Sequence, residues 1–337
     1  MKNSLPFLSI VLPIKNEVNF IEKIILDLLN QNYPKDRFEI IIVDGLSNDG
    51  SLDILKKFEA SFNNISCFSN PITTTPTNLN IGIKQAKGDF IIRMDGHVEI
   101  DNNFFLENIR TMEEKKVAIS GGPIIHEGSN NFAKGTAIAM SDSMGIGNAN
   151  HRKLFNGYVE GVAFPCIKRE VFEKIGFFDE DLIRCQDEEF NYRAKKAGYR
   201  TYQSSKIKSK VYVRDSTKKL FKQYYQYGFW KWLVFKKIKA VISVRQLIPS
   251  LFVIYLLLLP LVYFYISKFV LIPIFTYFLL LTFFILKNSY RFNIKIGFNS
   301  GLAIIIMHLA YGIGFLINVL KIHKILNLNN INRTISR

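Results

Sequence analysis

No aspartate or glutamate follows Asp215, although the chain has 337 residues and 28 acidic groups. Lysine and arginine continue to Arg337, so residues 214 to 337 hold 17 basic groups against that one acid and supply the whole net charge of +16. Residues 1 to 213 carry 27 basic and 27 acidic groups and are neutral. Cysteine is equally scarce. Cys67, Cys166 and Cys185 are odd in number and lack metal-like spacing, which excludes a disulfide framework and a zinc site. They are expected to be buried, reduced thiols. A secretory signal is missing too, because the apolar run from Leu5 to Ile14 is broken by Pro6 and Pro13 and leads straight into charged residues. The polar part of the chain is therefore expected to stay in the cytosol.

With 48% hydrophobic and 21% charged residues, the composition excludes a disordered or collagen-like chain. The excess basic residues punctuate uncharged stretches of about 18 to 25 residues, the length that spans a bilayer. A nucleic-acid binder concentrates its basic groups on a soluble face or arm. The charge distribution points to a membrane and to no nucleic acid.

The first hundred residues alternate strand-like and helix-like segments: Phe7 to Leu12, Glu17 to Gln31, then the β-branched run Glu39 to Val43. Ile21, Ile24, Ile25, Leu28 and Leu29 recur at helical spacing, and Tyr33-Pro34 stops that helix. Further helices are expected from Asp49 to Ala60 and Asn78 to Ala86, with a strand from Phe90 to Met94. Continuous apolar strands joined by helices indicate a parallel sheet covered on both faces, an α/β fold of Rossmann-like style. The Gly-, Ser- and Asn-rich stretch from Glu127 to Asn150 is expected to be a long mobile substrate loop. Order returns from Lys168 to Tyr202, including a helix from Gln186 to Lys196 ended by Gly198.

Three apolar segments follow, Gln246 to Ser267, Phe269 to Leu286 and Ile296 to Leu320, bounded by Arg245, Lys268, Lys287, Lys295 and Lys321. Three spans would put Lys287, Arg291 and Lys295 in the cytosol but send Lys321, Lys324, Arg333 and Arg337 outside, against the positive-inside tendency. Pro260, Pro273 and the Gly312/Gly314 pair could instead mark bent or re-entrant helices. The expected anchor thus has two to three helices. Before it, residues 218 to 239 interleave lysine with Phe221, Tyr224, Tyr225, Tyr227, Phe229, Trp230, Trp232 and Phe235. That pattern reads as an interfacial amphipathic helix with aromatics at headgroup depth and lysines on anionic lipid. The expected division is residues 1–215 for the polar domain, 216–245 for the basic aromatic linker and 246–337 for the anchor with its basic tail.

In open α/β sheets a ligand binds beyond the carboxyl ends of the strands. Three polar clusters occupy such places: Pro13-Ile14-Lys15-Asn16-Glu17, Val43-Asp44-Gly45-Leu46-Ser47-Asn48-Asp49-Gly50-Ser51 and Arg93-Met94-Asp95-Gly96-His97. With Gln186-Asp187-Glu188-Glu189, Arg193 and Ala197-Gly198-Tyr199, they resemble the family 2 glycosyltransferases of the GT-A fold in order and approximate spacing. The resemblance runs from Ser9 to about Trp232. It is strongest to membrane-anchored exopolysaccharide transferases of the succinoglycan ExoA type, through Gly121-Gly122-Pro123, Gly145-Ile146-Gly147-Asn148, Gly176-Phe177-Phe178-Asp179-Glu180 and Gln223 to Lys231.

The resemblance implies a GT-A nucleotide-sugar domain, a helical membrane anchor and inverting transfer. Asp95 and His97 fall at the family's Asp-x-Asp position, where a divalent cation meets the leaving diphosphate. Gly96 would let the backbone turn between them, and the imidazole favours Mn²⁺ over Mg²⁺. Asp44 would contact the base or ribose of a UDP-sugar, with Glu17 and the Pro13 backbone framing the same pocket. Asp49 is acidic in the family pattern, though a helix cap demands the same residue. Arg93 could pair with a donor phosphate or with Asp44. Asp187 aligns with the family's general base, with Glu188 and Glu189 as alternatives and Gln186 in place of the customary Glu. Gln223, Gln226 and Trp230 loosely match a Gln-x-x-Arg-Trp motif near the acceptor, but the Arg is absent. His308, inside the third apolar segment, is expected to be hydrogen-bonded packing.

The implied activity is transfer of a sugar from a nucleotide-sugar to a lipid-linked saccharide in exopolysaccharide or other envelope-glycan synthesis. The protein would sit multi-pass in the cytoplasmic membrane with its catalytic domain toward the cytosol. Two alternatives stand beside it: an enzyme that glycosylates polyprenyl phosphate itself, using Arg184 and the basic linker, and a catalytically silent membrane protein that binds nucleotide-sugars.

Overall fold

The computed structural model describes residues 5–146, 154–241 and 243–321. In chain order its elements are β1 (Leu8–Ile14), α1 (Ile21–Leu29), β2 (Phe38–Asp44), α2 (Ser51–Ser61), β3 (Ile65–Ser69), α3 (Thr75–Gln85), β4 (Phe90–Arg93), β5 (Val98–Ile100), α4 (Phe104–Lys115), β6 (Ile119–Gly122) and β7 (Ile124–Glu127). Then come α5 (Asn131–Ser141), α6 (Ser143–Ile146), β8 (Gly157–Val159), β9 (Ala163–Lys168), α7 (Arg169–Ile175), α8 (Gln186–Lys196), β10 (Thr201–Gln203), β11 (Ser209–Tyr212), α9 (Thr217–Ile238), α10 (Ile248–Tyr265), α11 (Ile272–Arg291) and α12 (Ile294–Val319). They form two compact units, Met1–Ile125 with Asn150–Val211, and His126–Ala149 with Tyr212–Arg337. A single stretch 1–215 is thus not one body: residues 126–146 leave it and fold with the C-terminal helices.

The first unit is built on an eight-stranded sheet ordered β3-β2-β1-β4-β9-β6-β10-β8. The first four strands are parallel, and β9 runs antiparallel between β4 and β6. Alternate residues of β1 serve opposite faces, as the twofold repeat of a strand requires. Leu8, Ile10, Leu12 and Ile14 pack with Ile24, Ile25 and Leu28 of α1 and with Phe104 and Phe105 of α4. Val11 joins Ile41 and Val43 of β2 against Leu79 and Ile83 of α3 and Phe190 of α8. Both faces being covered explains why these strands read as unbroken apolar runs. Register then sets the site: Ile14 lies opposite Asp44 at the carboxyl ends of β1 and β2, whereas Arg93 at the end of β4 lies opposite Val11. The residues after β4 therefore run beside the last turn of chain leaving β1.

The second unit is centred on α12. Ala303, Ile304, Met307 and Ala310 pack with Leu281 and Phe284 of α11, Leu220, Tyr224 and Tyr225 of α9 and Ala139 of α5. A Cβ on Gly228 of α9 would come within 1.9 Å of the Tyr311 carbonyl oxygen, and one on Gly314 within 2.1 Å of that of Tyr225. Glycine lets the two backbones touch, as small residues do between membrane helices. The Gly312/Gly314 pair thus serves close packing inside a continuous helix and marks no bend. The loop expected after Glu127 is helical through Ile146 in its described part. Asn130 caps α5 by accepting from the Ala133 N–H at 2.8 Å, and Ala133, Gly135, Thr136 and Ala139 are buried. Its small residues read as loop in isolation because their packing partner, α12, lies far downstream. Gly147, Asn148 and Asn150 lie outside the described residues, as do Lys324, Arg333 and Arg337.

The linker helix is present as α9, but Tyr224, Tyr225, Phe229, Trp230 and Phe235 are buried, and Phe221 is left exposed. Most of those aromatics fill protein rather than headgroup space. Lys268–Arg291, α10 and α12 are long and apolar enough to cross a membrane. α10 and α11 expose Leu257, Phe264, Phe275, Leu279 and Phe283, each by 67% or more, an apolar surface of the kind a membrane helix presents to lipid.

Candidate active site

Within the first unit, the loops after β1 and β2 are laced together by hydrogen bonds. The Asn16 N–H donates to Ser47 Oγ at 2.8 Å, the Glu17 N–H to Ser51 Oγ at 2.9 Å and the Val18 N–H to Asp49 Oδ2 at 3.0 Å. Asn16 Oδ1 accepts from the Asn48 N–H at 2.9 Å. Two sharp reversals make this possible, with Asn16 and Leu46 both at positive φ, 55° and 58°. Asp44 is 2% exposed and closes the second turn: its carboxylate accepts from Ser47 Oγ at 2.5 Å and from the Ser47 N–H at 3.0 Å. A carboxylate has about four lone-pair positions, so this fixes its orientation and leaves acceptor capacity.

Asp49 ties loops and is not the helix cap, which falls on Gly50. Burial pushes its carboxyl pKa up, but hydrogen bonds from the Ser51 hydroxyl and from the Val18 and Ser51 N–H groups outweigh this and hold it below its ordinary value.

The loop after β4 meets this platform. A Cβ on Gly96 would lie 2.6 Å from Ile14 Cδ1 and 3.1 Å from Glu17 Cγ. Its φ is not in the left-handed region, so glycine is needed here for room and not, as the sequence implied, for the turn. The close approach puts His97 Nδ1 3.2 Å from Glu17 Oε1. The carboxylate can only accept, so the neutral imidazole carries its proton on Nδ1 and presents a lone pair on Nε2. That is the arrangement carboxylates impose on metal-binding histidines.

Arg93 pairs with Asp95 (Nη2 to Oδ1, 2.8 Å) rather than with Asp44. Its guanidinium also lies 6.0 Å from the Phe164 ring centroid, and Arg93 Nε is buried with no partner among the described residues. No group of three or more His, Cys, Asp and Glu side chains is placed to hold a metal among the described residues. Asp95 and His97, two positions apart on this loop, carry an oxygen and a nitrogen donor.

Asp187 stands exposed in the first turn of α8 and lines a small cleft with Arg93, Val162, Pro165, Phe178 and Asn191. Asp187 and Arg93 therefore line one cleft, and Asp95 is linked to it only through its ion pair with Arg93. Glu188 is half-buried in the same turn. Glu189 is excluded as an alternative base: it is 6% exposed and clamped by Arg193 at 2.6 and 2.8 Å. Arg193 also donates to the Phe177 carbonyl, so the pair ties α8 to the turn before it. Pro13 sits in β1, level with Val43.

Gln223, Gln226 and Trp230 belong to α9 in the second unit. Gln226 and Trp230 are 1% and 7% exposed, the burial of packing residues, while Gln223 Nε2 donates to Tyr227 Oη at 3.2 Å. Of the thiols only Cys166 is fully buried, and all three are free. Burial raises Cys67 to about 12 and Cys166 further, so neither is a nucleophile at neutral pH. The contributions of Ser47, Ser51 and Phe164 had no signal in the sequence beyond membership of polar or apolar runs.

Residues 9–176 match the model of glycosyl transferase family 2. A dolichyl N-acetyl-alpha-D-glucosaminyl phosphate 3-beta-D-2,3-diacetamido-2,3-dideoxy-beta-D-glucuronosyltransferase of Methanococcus voltae is 34% identical over 240 residues, 68% of this chain and 74% of the relative. The chain belongs to glycosyl transferase family 2. The succinoglycan biosynthesis protein ExoA of Rhizobium meliloti is 28% identical over 246 residues, 71% of this chain and 73% of that one. Among solved structures, the mannosyltransferase PcManGT of Pyrobaculum calidifontis, in complex with GDP-Man and Mn²⁺, superposes with a TM-score of 0.63 at 14% identity, covering 91% of this chain and 88% of that one. The fold is thus that of the GT-A family members, and the likeness extends past the first unit into the C-terminal helices.

Proposed function

We propose that this family 2 enzyme transfers one sugar from a UDP-sugar to a hydroxyl of a lipid-linked saccharide, with inversion at the anomeric carbon, in exopolysaccharide or other envelope-glycan assembly. The observation that carries this reading is the convergence of the β1, β2 and β4 loops at the strand ends, which gathers Glu17, Asp44, Arg93, Asp95 and His97. Asp44, Glu17 and the Pro13 backbone bind and orient the nucleoside. Arg93 holds Asp95 toward the donor diphosphate, and its unpartnered Nε offers a further hydrogen bond there. Asp95 and His97 would hold a divalent cation, Mn²⁺ in preference to Mg²⁺ because of the imidazole, and such an ion supplies positive charge to the leaving diphosphate. Asp187 accepts the acceptor hydroxyl proton as the new C–O bond forms and the bond to diphosphate breaks.

The Methanococcus voltae relative is named for a dolichyl-linked sugar phosphate acceptor, which supports a saccharide already on lipid over bare polyprenyl phosphate. We place the catalytic unit in the cytosol, with α10 and α11 crossing the cytoplasmic membrane. α12 stays on the cytosolic side, because α5, α6 and α9 pack along it from Ser300 to Asn318. The reading is tested in isolated membranes with radiolabelled UDP-, GDP- and TDP-sugars and Mn²⁺ or Mg²⁺, following label into the lipid extract. Metal-dependent labelling from a UDP-sugar is expected. Labelling only from a GDP- or TDP-sugar overturns the donor assignment, and none from any donor, with metal-dependent UDP binding intact, favours a silent binder.

A further inference from the structure

The second unit contains a cavity of about 490 Å³ that the transfer chemistry does not use. Its volume falls within the range of small-molecule sites. Lys134 of α5 and Lys287 and Arg291 of α11 line it. Lys287 and Arg291 are one helical turn apart on the same face, where like charges repel. None of the three cations has an acidic partner among the described residues; Arg291 only lies 5.3 Å from the ring of Phe292. Two acids line the same cavity, Glu127 and Asp142, the latter accepting from the Met144 N–H at 2.8 Å, so three cations face two carboxylates. The lining keeps an excess of one positive charge, and an arginine beside lysines favours phosphate, which the planar fork can grip through two oxygens.

The remaining wall is apolar, with Ile138, Phe292 and Ile296. The cavity lies at the joint between two segments long and apolar enough to cross a membrane, Lys268–Arg291 and Ile294–Val319. Beside that joint Ile294 and Phe298 are 76% and 62% exposed, so apolar surface continues outward from a cationic cavity. A free inorganic anion would gain nothing from that surface; a molecule with a phosphate head and a hydrocarbon tail would use both parts. We propose that this cavity binds the phosphate head of an anionic membrane lipid, with Lys134, Lys287 and Arg291 as its ligands.

The test uses the purified full-length protein in a neutral detergent, titrated with phosphatidylglycerol, phosphatidylcholine or inorganic phosphate and read by native mass spectrometry without any sugar donor. Its outcome is therefore separable from that of the transfer assay. The wild type is expected to retain one phosphatidylglycerol, which neither phosphatidylcholine nor millimolar inorganic phosphate displaces. Lys287→Gln/Arg291→Gln should weaken retention by about tenfold or more, and Lys134→Gln, on a different helix, should also weaken it should the double variant fail to fold. Lys295→Gln, at the same joint but outside the cavity wall, should stay within about twofold of wild type. Undiminished retention in the Lys287/Arg291 or Lys134 variants overturns the site. Equal loss in Lys295→Gln reduces it to general boundary charge, and displacement by inorganic phosphate overturns the lipid assignment.

Discussion

Glu17 and His97 are 80 positions apart and meet because glycine at 96 lets one loop lie against another. If Glu17 orients the imidazole toward a metal, Glu17→Gln should weaken Mn²⁺ binding by about 10 to 100-fold, read by electron paramagnetic resonance in the presence of UDP. Unchanged affinity would make the contact purely structural. Asp49 gives a second residue-level expectation. Its folded pKa lies below 3.8, so its contribution to stability is complete above the unfolded value and is lost as pH falls through the folded one. The advantage of wild type over Asp49→Asn in thermal midpoint should be constant near neutrality and shrink below about pH 4; a pH-independent gap would contradict it. Asp44, Asp95 and Asp187 stand out in the sequence as candidates because each follows an apolar strand or opens a helix. The lacing by Ser47 and Ser51 does not, since it depends on loops more than 30 residues apart.

Helices with strong periodicity were legible to within a few residues. α8 occupies Gln186–Lys196 as its stop at Gly198 indicates, and Ile21, Ile24, Ile25, Leu28 and Leu29 form the buried face of α1. α5 was missed because its apolar content is small: Ala133, Gly135 and Ala139 make a packing face only against another helix. The glycine contacts of α12 give the element-scale prediction. Gly314→Val would force apart backbones that now touch at Tyr225, and overpacking of this kind costs about 1 to 3 kcal/mol. The variant should melt several degrees lower in detergent, whereas Gly198→Ala, with nothing within 4 Å of its Cβ but a φ of +90°, tests strain alone. A Gly314→Val melting point equal to wild type would refute the packing role.

Across the whole molecule, the charge division at Asp215 separates a neutral stretch that holds the family match from a basic stretch with three helices long and apolar enough to cross a membrane. It does not indicate that residues 126–146 fold with the C-terminal helices, because that segment is neither basic nor strongly apolar. The span count was open in the sequence since three helices meet the length criterion. With α12 held along α5, α6 and α9, a reporter fused after Arg337 should report the cytosolic side, which also keeps Lys321, Lys324, Arg333 and Arg337 inside. External exposure would mean that α12 crosses. The central claim, however, is catalytic and rests on Asp187, the exposed acid in the cleft with Arg93. The measurement that bears on it most directly compares the transfer rate and donor affinity of wild type and Asp187→Asn in the same membranes. Loss of a general base should lower the rate by about 10² to 10⁴-fold with donor affinity nearly unchanged. Transfer within about tenfold of wild type would contradict the assignment.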